Sequence, residues 1–163
     1  MRFRLVLLLS VVAVTGALGA MPASATAPAR STFTFSSPGV IDCGSFDDNF
    51  IDFFDGRETD FFDGAGDLVR IVFSIEHHSN DVNSVTGLTI HEHGHFTVTV
   101  DIASGTATIT GNQEIANRPG SGVVVQDVGR VVFDADGNIV FFAGGLRASE
   151  LFLGDQVLCD ALA

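Results

Sequence analysis

The sequence predicts an all-β fold: an antiparallel meander forming a closed or nearly closed barrel, with a short C-terminal helix. A two-sheet β-sandwich is the alternative. Three observations carry this expectation. Apolar residues alternate with a period of two along most of the chain, tight turns recur at short spacing, and helical patterning is confined to two short segments, the better of them at the C-terminal end.

The N-terminal stretch stands apart from that pattern. Arg2 and Arg4 precede an apolar run from Leu5 to Val14, and Ala23-Ser24-Ala25 follows as an A-x-A cleavage site. This is the layout of a secretory signal over residues 1–25, which is set aside from the fold. The run is too short for a spanning helix, which needs about 20 apolar residues. No later segment is long enough either, and the expectation is a secreted, extracellular protein without a membrane anchor.

Residues 26–40 are rich in Ala, Pro, Ser and Thr and read as a flexible segment, with Thr32-Phe33-Thr34-Phe35 as a possible short strand. A single β domain is expected over residues 41–163. Val69, Ile71, Phe73 and Ile75 share one face of a strand. So do Phe96, Val98, Val100 and Ile102, with His95, Thr97, Thr99 and Asp101 on the other face. Ala103-Ser104-Gly105 turns the chain into a β-branched run over Thr106–Thr110. A turn at residues 117–122 leads to Val123–Phe133, with an expected bulge at Val128-Gly129. The turn at residues 134–138 joins this strand to Ile139–Ala143.

Both faces of that last hairpin are apolar, so one of them needs cover beyond the core. Asp155–Leu162 reads as the helix that supplies part of it, with Asp155 as N-cap. Cys43 and Cys159 form an even pair in a chain that reads as exported, which predicts a disulfide. It would tie the two ends together and contribute on the order of 4 kcal/mol in the chain-entropy model.

Composition excludes several partners. The chain of 163 residues has 20 acidic and 8 basic residues, a net charge of −12, which becomes −14 once Arg2 and Arg4 are removed. No basic patch is available to follow phosphates, so nucleic acid is not an expected partner. Tyr and Trp are absent while Phe occurs 15 times. That weakens the case for a carbohydrate-stacking platform and leaves a small apolar ligand or a protein as the expected partner.

Two clusters have chemical potential. All five histidines lie between residues 77 and 95. In His91-Glu92-His93-Gly94-His95 the three histidines share one face of an extended strand, and an H-x-H pair can chelate zinc. His91, His93 and His95 are therefore the candidate metal ligands, and His78 and Glu76 join them if the neighbouring strand pairs alongside. Nine acids between Asp42 and Asp67, with Arg57 as the only base, suggest either weak calcium binding or a solvated acidic edge that discourages aggregation. The edge is the better reading, because no calcium-loop spacing is present. The same test rejects an EF-hand at residues 134–138, where Gly137 falls at position four instead of six. No nucleophile elbow and no phosphate-binding glycine loop occurs.

Within the stretch Asp52-Phe53-Phe54-Asp55-Gly56 a short motif appears that recurs as Asp60-Phe61-Phe62-Asp63-Gly64, read as two successive strand ends. The hairpin Gly129-Arg130-Val131-Val132-Phe133-Asp134-Ala135-Asp136-Gly137-Asn138-Ile139-Val140-Phe141, the Cys43-Gly44 start and the Leu158-Cys159-Asp160-Ala161-Leu162 ending resemble small secreted actinobacterial proteins. The resemblance implies export and a single-domain β structure only. The sequence thus favours a non-enzymatic binding or interaction module. The alternative is a secreted metal-dependent enzyme, or a barrel-type isomerase, using the region from His77 to His95.

Overall fold

The computed structural model describes residues 27–163, so the expected signal over residues 1–25 lies outside the described residues. Seven antiparallel strands form one sheet in sequence order: β1 (Ala29–Asp42), β2 (Asp47–Phe62), β3 (Leu68–Asn83), β4 (Thr89–Asp101), β5 (Ala107–Arg118), β6 (Gly122–Phe133) and β7 (Ile139–Arg147). Two short helices follow, α1 (Glu150–Leu153) and α2 (Gln156–Leu162). The expected meander is therefore present. The expected closure is not: among the described residues β1 and β7 remain the two edges of an open sheet. The sandwich alternative also fails, because all seven strands belong to one sheet.

The segment expected to be flexible is strand β1. It pairs with β2 along its whole length, from Ala29 opposite Asp60 to Asp42 opposite Asp47. Its Ser/Thr content suits an edge strand that is largely exposed, and Phe33 anchors it. The Phe33 ring lies over Gly56, directly opposite, in the space a Cβ there would take. The first copy of the repeated Asp-Phe-Phe-Asp-Gly motif therefore sits in the middle of β2, not at a strand end.

The open sheet is strongly curled. Ile75, Val98, Ile109, Val131 and Phe133 form one buried cluster, and Phe33 of β1 and Phe142 of β7 both pack against it. Curl is helped by an irregularity in β5. Asn112 pairs with Val128 and Glu114 with Asp127, leaving Gln113 as an extra residue. The bulge expected in β6 at Val128-Gly129 is thus carried by the facing strand. Its effect is on side-chain direction. Ile109 points inward, and after the extra residue Glu114 and Ala116 point inward too.

A second cluster lies at the other end of the inner face. Ile90, Ala116 and Val125 pack against Val157, Leu158 and Leu162 of α2. The helix therefore covers the inner face, not the outer face of the β6–β7 hairpin as expected. That outer face stays exposed at Val140 and Phe141, with the Arg130 guanidinium 5.6 Å from the Phe141 ring centre. Asp155 occupies the N-cap position but makes no side-chain cap bond. The helix is held at its other end, where Asn83 Nδ2 donates to the Leu162 carbonyl (3.0 Å) and Arg118 Nη1 to that of Ala161 (3.1 Å). These donors satisfy C-terminal carbonyls that a helix leaves unpaired, and Arg118 adds charge of the sign favoured there. Cys43 and Cys159 form the expected disulfide, joining the β1–β2 connection to α2 with a Cα separation of 5.4 Å.

Candidate metal centre

Between and alongside the two apolar clusters the inner face turns polar. Asp52, Glu92, Glu114 and Asp127 are buried between them, and Asp81 and Asp48 are buried in the row of Ile90 and the row beyond it. The alternation of each strand explains why. On β3 the inward series that contains Phe73 and Ile75 continues to His77, Ser79 and Asp81. On β4 the inward series Val98 and Phe96 runs back through Gly94 to Glu92 and Ile90. On β2 the inward positions are Asp48, Phe50, Asp52 and Phe54. The acidic stretch between Asp42 and Asp67 is therefore not one solvated edge: Asp48 and Asp52 are buried, while Asp47, Asp55, Asp63 and Asp67 are exposed.

Register brings three of these inward groups together. Ser79 lies opposite Asp52 on one side and Glu92 on the other, and His77 lies opposite Phe54 and Gly94. Asp52 and Glu92 thus flank the row of Ser79, with His77 one inward step along β3. The candidate ligand atoms of Asp52, His77 and Glu92 all lie within 4.8 Å of one another. Asp52 is 7% exposed and Glu92 4%. His77 Nε2 stands 3.3 Å from Asp52 Oδ1, and its ring stacks on Phe54 with centroids 4.7 Å apart. The Ser79 hydroxyl is turned away, donating to the Ile51 carbonyl at 3.2 Å. Gly94 keeps the space beside His77 clear, and a Cβ there would come within 2.5 Å of the Gln113 carbonyl oxygen.

The donor set has a definite chemical preference. One imidazole nitrogen and two carboxylates suit divalent first-row ions such as manganese, iron or zinc. Calcium prefers six to eight oxygen ligands, and an imidazole is a poor member of such a shell. Donors about 2.1 Å from a tetrahedral ion stand roughly 3.4 Å from each other. The His77–Asp52 separation of 3.3 Å is already at that value, and Glu92, within 4.8 Å of both, needs to close by at most about 1.4 Å. Binding through Nε2 requires that this nitrogen carry no proton, so the imidazole would hold its proton on Nδ1.

The histidines singled out from the sequence occupy the opposite face. His91, His93 and His95 are exposed, and His91 Nδ1 is 2.6 Å from Asn80 Oδ1. His78 and Glu76 do lie alongside, opposite His93 and His95 respectively. The phenylalanines are divided between the two faces of the sheet. Phe73, Phe96 and Phe133 join the inner cluster, whereas Phe53 and Phe141 are exposed and Phe61 lies beneath the Arg70 guanidinium, 4.2 Å from its ring centre. Asp134 behaves as a turn residue: its Oδ1 accepts from the backbone N–H of Asp136 (3.0 Å) and Asn138 (2.8 Å).

Sequence reasoning missed Asp52, His77 and Glu92 as a set. A signal for two of them was present, because extending the alternation of Phe73-Ile75 forward and of Phe96-Val98 backward places His77 and Glu92 on the core side. Among the described residues no helix is long and apolar enough to cross a membrane. Comparisons with models of known protein families, with characterised proteins and with solved structures found no match for this chain.

Proposed function

We propose that this protein is an exported binding module whose curled sheet acts as a barrel-like cup, and that the inner wall of the cup binds a divalent first-row metal ion. The observation that carries the reading is the convergence of Asp52, His77 and Glu92, from three adjacent strands, in a band closed above and below by apolar clusters. Rigid strands hold the three donors, so little ordering entropy opposes binding. The other buried carboxyls of the inner face, Asp81, Glu114 and Asp127 among them, add negative charge that favours a cation there.

A second reading, a metal-dependent enzyme, is favoured by one feature. Three protein ligands leave at least one coordination position for water or substrate, which is the arrangement of catalytic rather than structural sites. The His77 and Asp52 side chains are 11% and 10% exposed, so solvent reaches that side of the set.

The test is calorimetric titration of Mn(II) into the full chain and into Asp52→Asn and Glu92→Gln. These amides keep shape while removing charge. Stoichiometric binding that weakens at least about tenfold in each variant is expected. Equal binding by all three proteins, or none by the wild type, contradicts the reading.

A further inference from the structure

The outer face carries an arrangement that the inner centre does not use. Pairing of β3 with β4 sets His78 directly opposite His93 and Glu76 directly opposite His95. All four side chains are exposed and share one face. They mark the corners of a two-by-two patch. Directly opposite Cβ atoms are about 5 Å apart, and alternate positions on one strand about 7 Å. An imidazole reaches far enough from each corner for its nitrogen to meet the others above the centre of such a patch.

From this register we infer that His78, His93, His95 and Glu76 form a second, outward-facing site for a borderline transition-metal ion, Cu(II) or Zn(II). Three imidazoles and one carboxylate match the donors these ions favour, and Cu(II) stands highest in the general order of divalent affinities. Two features of the neighbourhood support the assignment. Asp55 of β2 lies opposite Glu76 and extends the row Asp55–Glu76–His95 with a second negative charge, which draws cations to this end of the patch. Phe53 of β2 holds the His78 ring at rest beside the patch, the two rings stacked 4.9 Å apart and tilted by only 11°. Capture of the ion swings the His78 ring from Phe53 toward His93 by side-chain rotation alone, which exposed rotamers permit.

The site keeps the H-x-H pair His93–His95 of the sequence but not His91. His91 belongs to the next row, opposite Asn80, and its Nδ1 is engaged with that amide. The essential pair is the cross-strand pair His78–His93, 15 positions apart in the chain, and not the pair His91–His93 along β4.

The experiment is titration of Cu(II) into the full chain, read by electron paramagnetic resonance, with every protein in the Asp52→Asn/Glu92→Gln background so that the inner centre does not contribute. Expected are one stoichiometric Cu(II) with hyperfine structure from several nitrogens, loss of affinity on the order of a hundredfold in His78→Ala/His93→Ala, and little change in His91→Ala. The substituted histidines are exposed, and circular dichroism unchanged from that of the wild type confirms that the fold is kept in the background and in each variant. Equal binding by the double variant overturns the assignment. So does a loss in His91→Ala as large as in His93→Ala, which would place the ion along β4. Absence of Cu(II) binding in this background overturns the outer site and leaves the inner one standing.

Discussion

His77 Nε2 lies 3.3 Å from Asp52 Oδ1, although the two residues are 25 positions apart and sit on different strands. The contact is diagonal: Asp52 is opposite Ser79, and His77 is one inward step away on β3. It sets the pivot of the inner centre, because an ion bridging these two atoms finds the Glu92 carboxylate approaching from β4. A simple ion pair would need only Asp52 and His77. The convergence of a third ligand atom is what distinguishes a metal centre.

The disulfide is expected to hold α2 in place. Val157, Leu158, Cys159 and Leu162 are its buried residues, and together they close one end of the inner face. Cys159→Ser is expected to lower stability by roughly 2–5 kcal/mol. Leu158→Ala, which leaves the bond intact but empties a fully buried position, is expected to cost a similar 2–5 kcal/mol. Urea denaturation measures both. If Cys159→Ser unfolds at the wild-type midpoint, the bond does not constrain the chain.

Three turns should respond to acid. Asp63, Asp101 and Asp134 each accept backbone N–H bonds within their own turn. The principal donors are Asp67 and Ala65 for Asp63, Ser104 for Asp101, and Asn138 for Asp134. These bonds favour the charged form and hold all three carboxyls below the usual aspartate value. A lowered folded-state value means the stabilisation is fully present above the unfolded value of about 3.9 and is lost as pH falls through the folded one. Carboxyl carbon NMR should show all three titrating below the ordinary aspartate midpoint, with exchange protection at Ala65, Ser104 and Asn138 fading over the same range. Midpoints at or above the ordinary value contradict this.

Glu58 behaves in the opposite sense. Burial, and then the neighbouring Asp60 charge, raise its carboxyl above the usual glutamate range. Ionisation therefore costs the folded state more than the unfolded one. The penalty is absent below the unfolded value and complete above the folded one. Glu58→Gln is expected to raise stability at neutral pH by roughly 0.5 kcal/mol or less, since the group remains partly solvated. The gain should vanish near about pH 3. A destabilised variant at neutral pH would show that the carboxylate makes a favourable contact instead.

How far the sequence discloses this molecule depends on which face is considered. Period-two alternation in Phe73-Ile75 and Phe96-Val98 defines the inner apolar cluster, and the Cys43–Cys159 pairing follows from number and context. Strand β1 was hidden because Ser31, Ser36 and Ser37 resemble linker composition, while its pairing partner is fixed only by tertiary register. Asp52 was hidden for a different reason. In Ile51-Asp52-Phe53-Phe54 apolar side chains occupy both faces, so alternation does not say which way the aspartate points. Glu114 needed the extra residue Gln113 to turn inward, and no local pattern announces that bulge. The apolar outer face of the β6–β7 hairpin points to α2 as its cover, but the helix's own apolar side fits the inner end formed by Ile90, Ala116 and Val125.

The most direct test of the central claim is anomalous diffraction at the manganese edge, from crystals of the His78→Ala/His93→Ala protein grown with Mn(II) so that the outer face is silent. One strong peak is expected about 2.0–2.2 Å from His77 Nε2 and from one oxygen each of Asp52 and Glu92. A map without a peak there, with His77 still resting on Asp52, would contradict it.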